Sequence, residues 1–227
     1  MKKLLFVALF FAGLYSCKKD RGFDGNCTGS CFTFEGRILE KQTGSVLENA
    51  GIKFYYKKPP TLSGGTGRDY LGVATSGSDG SYYFSFPKSS TYYTGGNFIV
   101  ETSKEGYIAG ISEVDISYGA DSVFSNDRSL WKAAPLTIRV RTVNNTNFDR
   151  FYFNQFYGDV SLFNFDPIDK NRQPFDVTYN LQTAADIPTR INWRTTNLNP
   201  NTGSTILQGS DTIIVAAGTS GNLLIGL

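Results

Sequence analysis

Apolar side chains recur at every second position along this chain, in short runs broken by Gly, Asn, Ser and Asp, and that period decides what it can fold into. FTFEGRI sets Phe32, Phe34 and Ile38 on one face and Thr33, Glu35 and Arg37 on the other. IKFYY groups Ile52, Phe54 and Tyr56, YYFSF groups Tyr82, Phe84 and Phe86, and FIVET groups Phe98 and Val100. Strand side chains point alternately to opposite faces, so each run reads as a strand with one buried face. Turn chemistry separates them at Gly44-Ser45, Asp79-Gly80, Gly95-Gly96 and Glu105-Gly106. Few segments carry a helical period, and 18 Phe with 13 Tyr favour half-buried strands. The expected fold class is all-β, with two β-sandwich domains.

The same alternation resumes after SLWKAAP, residues 129–135, which reads as a boundary. LTIRVRTV sets Leu136, Ile138 and Val140 against Thr137, Arg139 and Arg141. VTYNLQT aligns Val177, Tyr179 and Leu181, and TRINWRT sets Ile191 and Trp193 against Arg190, Asn192 and Arg194. DTIIVAA and NLLIGL close the chain. Five or six strands are enough for an independent sandwich, and no repeat links this half to the first.

The chemistry these residues exclude is broad. There is no His in the 227 residues, which removes Ser-His-Asp and Cys-His catalysis. Neither a Rossmann nor a P-loop glycine motif occurs. The formal charge is +2, and without Lys2 and Lys3 the chain carries 20 bases against 20 acids, so no basic footprint argues for nucleic acid. A non-catalytic protein with no cofactor and no metal is expected. A carboxylate pair for glycoside hydrolysis is a spatial feature that sequence spacing does not test.

At the N-terminus, Lys2 and Lys3 precede LLFVALFFAGL, Leu4 to Leu14. As a helix this run would span roughly 17 Å, against a hydrocarbon core of about 30 Å, so it reads as an export signal rather than a membrane span. It ends in LYSC, which resembles the lipobox of bacterial lipoproteins, with Leu14 and Ser16 at the apolar and small positions and Cys17 at the cysteine. The resemblance implies a signal peptide over 1–16, cleavage before Cys17, and acylation of Cys17 (palmitate or a similar chain). Two or more chains would anchor the protein stably in a membrane. The implied location is the cell outer membrane, facing the surface or the periplasm; KKDRG after Cys17 is a poor match to acidic surface-export tags.

Residues 17–31 read as a flexible, polar tether. Cys27 and Cys31 lie in an exported, disulfide-permissive setting. In an extended strand their Cα atoms would be roughly 13 Å apart, beyond the reach of a disulfide, so pairing requires a turn, which Gly29 permits. A local disulfide is expected, worth about 2 kcal/mol by loop entropy. Two cysteines without histidine do not make a usual zinc site.

The order FEGRILEKQTGSVLENAGIKF, GVATSGSDGSYYFSF, NFIVETSKEGY resembles the carboxypeptidase regulatory-like domain. Gly36, Thr43-Gly44, Asn49-Ala50, Thr75, Asp79-Gly80-Ser81-Tyr82 and Gly106-Tyr107 fall on that family's landmarks. The resemblance covers residues 32–118 and implies a transthyretin-like (prealbumin-like) sandwich of about seven strands without an active site of its own. The expected domains are 32–128 and 135–227, the second of no recognised family. Residues 57–71, KKPPTLSGGTGRDYL, depart from the family as an insertion, longer than a usual hairpin loop and a candidate for recognition.

Other features could serve binding or be ordinary parts of the fold. The aromatics of Phe148–Phe165 could stack on sugar rings or fill a core. Arg139, Arg141, Arg190 and Arg194 would form a basic patch, attractive to an acidic glycan, if their strands were neighbours. Asp166–Asn171 carries oxygen ligands but lacks the calcium-loop glycine and glutamate. Asp121-Ser122-Val123 and Asp211-Thr212-Ile213 resemble the short O-glycosylation motif of Bacteroidetes exported proteins, with Ser122 and Thr212 as acceptors. The expected role is a binding or scaffold module for a surface protein complex or polysaccharide. The alternative is a fimbrial subunit: fimbrillins are lipoproteins with two transthyretin-like domains, and NLLIGL could be their donated strand.

Overall fold

The computed structural model describes residues 22–60, 67–89, 96–115, 123–142, 148, 150–167, 175–196 and 205–227. Among these residues the chain is all-β, in two β-sandwiches with separate cores. The leader, Cys17 and Ser122 lie outside the described residues, as does Asp169–Asn171 of the oxygen-rich loop.

The first sandwich uses β1 (Cys31–Glu40), β2 (Gly51–Lys57), β3 (Arg68–Thr75), β4 (Ser81–Pro87), β5 (Asn97–Ser103), β6 (Gly110–Asp115), β7 (Val123–Ser125) and β8 (Arg128–Leu130). One sheet runs β4-β1-β7, with β8 also pairing β1; the other runs β3-β2-β5-β6. β7 and β8 pair with successive stretches of β1, both parallel, so they act as one interrupted strand, and on that count this sandwich has seven strands among the described residues. The interruption sits at Gly36, where a Cβ would lie 2.3 Å from the Asn126 carbonyl oxygen. Asn126 N–H donates to Glu35 O at 2.9 Å and Arg37 N–H donates to Asp127 Oδ1 at 2.8 Å, holding the two pieces in line.

The alternating faces bury as the sequence reads. Phe32, Phe34, Ile38, Ile52, Phe54, Tyr56, Tyr82, Phe84, Phe86, Phe98 and Val100 form the core. Phe54 of one sheet stacks on Phe84 of the other with ring centroids 4.3 Å apart.

Two segments differ from expectation. Residues 22–30, read as tether, lie against the sandwich: Phe23 N–H donates to Leu71 O, Ser85 N–H to Gly25 O and Lys88 N–H to Ser30 O. The open edges of β3 and β4 offer those backbone groups, and the Phe23 ring stacks on Phe86 at 5.4 Å. The ends of the 57–71 insertion are strand, because β2 runs through Lys57 and β3 begins at Arg68; Lys58 N–H donates to Gly67 O at 2.9 Å and closes the base, and 61–66 lie outside the described residues.

The second sandwich uses β9 (Ala133–Arg141), β10 (Arg150–Tyr157), β11 (Val160–Pro167), β12 (Asp176–Ala184), β13 (Pro188–Thr196), β14 (Thr205–Ile214) and β15 (Gly221–Gly226). Its sheets run β12-β9-β15 and β11-β10-β13-β14. Leu136, Ile138, Val140, Phe151, Phe153 and Ile191 meet between them. The NLLIGL strand, β15, is paired in parallel with β9 of its own sandwich.

Among the described residues the sandwiches touch around Gln42, Trp131 and Ala185. Gln42 Nε2 donates to Ala185 O, and Lys132 N–H donates to Gln42 Oε1, both at 3.2 Å. Lys41 pairs with Asp159 at 3.2 Å, and Trp131 Nε1 donates to the same carboxylate at 3.3 Å.

Candidate ligand-binding face

Antiparallel register sets the outer face of the β11-β10-β13-β14 sheet in rows. Phe163 stands opposite Asn154, Asn154 opposite Asn192, and Asn192 opposite Ser210. The next row runs Tyr152, Arg194, Gln208, and the one on the other side runs Ser161, Phe156, Arg190, Thr212. Odd-numbered residues of β10 and β13 face the core, which leaves this even-numbered set for solvent.

The first two of these rows line a trough of about 600 Å³, within the size of small-ligand sites. Asn154, Asn192, Gln208 and Ser210 line it with amide and hydroxyl groups, and Tyr152, Phe163 and Arg194 rim it. Phe163 is 62 % exposed, a large apolar ring left in water. It lies 5.9 Å from the Tyr152 ring. Arg194 sits over Tyr152 at 5.2 Å and Arg190 over Phe156 at 5.0 Å, so both guanidinium groups are held by aromatic faces. Ser210 Oγ donates to Asn192 Oδ1 at 2.8 Å. A hydrogen bond from Arg150 lowers the Tyr152 phenol below its ordinary pKa of 10.0. The described side chains of this face include Arg150, Arg190 and Arg194 and no carboxylate.

Such a surface can stack flat apolar rings, exchange hydrogen bonds with hydroxyl groups and attract negative charge. The sequence pointed to its aromatics and to Arg190 and Arg194. It missed Asn154, Gln208 and Ser210, whose grouping depends on register across four strands. The four-arginine patch does not form as one surface: Arg139 and Arg141 lie on β9, in the other sheet. Arg139 is also engaged, bridging Asp176 with both nitrogens at 2.7 and 2.5 Å.

Thr212 is exposed on the same face, opposite Arg190. Cys27 and Cys31 form a disulfide with Cα atoms 6.0 Å apart, the chain turning at Gly29 (φ +94°). Among the described residues no group of three or more His, Cys, Asp and Glu could hold a metal ion. A second depression, about 1000 Å³ on the first sandwich, is bordered by Glu35, Asp79 and Asp127. Their oxygens serve local structure: Ser81 Oγ donates to Asp79 at 2.6 Å, Ser125 Oγ to Glu35 at 2.8 Å, and Arg37 N–H to Asp127 at 2.8 Å.

No protein-family model matches the chain, and no curated protein sequence does. Solved structures with some likeness include the Bacillus anthracis TIE protein (11 % identity, TM-score 0.33, covering 88 % of this chain and 34 % of that one). Others are 3-chlorocatechol 1,2-dioxygenase from Rhodococcus opacus (13 %, 0.34, covering 49 % and 63 %) and the shaft pilin SpaA from Lactobacillus rhamnosus GG (10 %, 0.30, covering 88 % and 98 %). The chain thus spans about a third of the TIE protein and under two thirds of the dioxygenase. At these values the likenesses assign no role to it.

Proposed function

We propose that this is a non-catalytic cell-envelope lipoprotein of the Bacteroidetes type that binds polysaccharide on the outer face of its second sandwich. In this reading the first sandwich is a carboxypeptidase regulatory-like spacer, and acylated Cys17 holds the chain at the outer membrane. The observation that carries the binding role is the row arrangement: exposed Phe163 beside Tyr152, amides across three strands, and arginines without a carboxylate among the described side chains of the face. Rings stack on aromatics, amides pair with hydroxyl groups, and the guanidinium groups favour chains bearing uronic acid or sulfate.

The test is calorimetric titration of the exported domain pair with a panel of acidic and neutral polysaccharides, repeated with Tyr152→Ala and Phe163→Ala. Each substitution is expected to weaken binding about tenfold, the scale of one lost stacking contact. Binding untouched by both substitutions, or no binding across the panel, refutes the assignment.

A fimbrial subunit is the second reading, favoured by two sandwiches in tandem. It requires a strand donor other than β15 in its present pairing with β9. Denaturant-resistant ladders of the purified protein would support it, and a strict monomer would refute it.

A further inference from the structure

Arg128, on β8, reaches between the sheets of the first sandwich. Its Nε donates to Tyr82 Oη at 3.3 Å and its Nη1 donates to Ser112 Oγ. Its Nη2 is enclosed and has no hydrogen-bond partner, and Arg128 makes no ion pair among the described residues. A second orphan lies on the facing sheet: Thr102 of β5 is 2 % exposed, and its Oγ1 also lacks a partner. Both residues line one cleft of about 180 Å³ between β6 and β8, with Gly110, Ser112 and Asn126. Asp127 borders the same cleft, but its Oδ1 accepts from Arg37 N–H at 2.8 Å.

Buried donors are nearly always paired, and a cation shielded from water calls for a counter-charge. Two unpaired donors, one of them charged, converge here on a single cavity. Water would satisfy the hydrogen bonds without supplying charge, whereas an anion supplies both, in competition with the exposed Asp127 carboxylate at the cleft border. We infer that this cleft is a binding site for one small monovalent anion of halide size, held by Arg128 Nη2 and Thr102 Oγ1. Bound there, the anion ties β8 to β5 and β6 and so links the two sheets along an open side of the sandwich. The inference is independent of the polysaccharide face.

Two measurements test it on the exported domain pair. Crystals grown in sodium bromide should show an anomalous peak between Arg128 and Thr102. In solution, the melting temperature at constant ionic strength should rise saturably as chloride replaces a bulky organic anion. Arg128→Gln should abolish the rise. Thr102→Val, which keeps shape and folding, should weaken chloride affinity about tenfold, the loss of one hydrogen bond to a charged group. Ordered water in place of bromide, or a wild-type melting temperature indifferent to chloride, overturns the proposal. So does a Thr102→Val protein with unchanged chloride dependence.

Discussion

Gly72 is where one methyl group should tell most about the first sandwich. It lies in β3 opposite Phe54, at a break in the pairing register, and Phe23 bridges to it from the N-terminal side. A Cβ there would come within 2.5 Å of Phe84 Cε2 and 2.7 Å of the Phe23 carbonyl oxygen. Neither neighbour can yield freely. Phe84 is fully buried and stacked on Phe54 at 4.3 Å, and the Phe23 backbone is hydrogen-bonded to Leu71. Ordinary contact would require a shift of about 1 Å, in a core where added methylenes typically cost about 1–3 kcal/mol. Gly72→Ala should therefore lower unfolding stability in urea by about 2 kcal/mol with an unchanged m-value. Phe84→Leu shortens the obstructing ring, so the double variant should be less destabilised than the sum of the singles, by about 1 kcal/mol. If Gly72→Ala stays within about 0.5 kcal/mol of wild type, the packing between β3, Phe84 and the N-terminal segment is not as described.

Two further outcomes are expected. The Asp159 carboxyl is held below its ordinary pKa by backbone hydrogen bonding and by Lys41, so its contribution is present above about pH 3.8 and lost as pH falls through the lowered value. Trp131 emission, read in a Trp193→Phe background, should therefore change on acidification, and Asp159→Asn should flatten that change; an acid response unaltered in Asp159→Asn would sink the assignment. If Cys17 is the anchor, Cys17→Ala should move the protein from the membrane to the soluble fraction and end labelling by a palmitate analogue. A variant that stays membrane-bound would remove the lipoprotein reading.

Which residues enter each core was legible from the sequence because burial in a strand follows position parity, a local property. Leu136, Ile138 and Ile191 are buried as their alternation requires. Which strands are neighbours was not legible, because hydrogen-bonding partners are chosen between runs far apart in the chain. The arginines show the difference. All four stand opposite apolar neighbours in alternating runs, yet β9 and β13 belong to different sheets, and only Arg190 and Arg194 reach the aromatic face. The tether was misjudged for a related reason. Its polar, Gly-rich composition describes a chain with little apolar surface to bury, but backbone groups carry no compositional signature. Here the unpaired edges of β3 and β4 hold residues 23–30 through main-chain hydrogen bonds and one aromatic stack.

The same reasoning explains how a sandwich can carry the ligand face proposed above. A two-sheet core needs only one side of each strand, so the other side is free to vary without loss of burial. On β12 and β9 the outward positions are used for local pairing, as between Arg139 and Asp176. On β10 and β13 they hold rings and guanidinium groups stacked on one another, with amides between them. Ring pairs and stacked guanidinium groups add only modestly to the sheet from that side, and a large ring such as Phe163 left in water costs solubility. Their concentration in adjacent rows of one sheet, with positive charge beside them, is the feature that motivates the polysaccharide face proposed above.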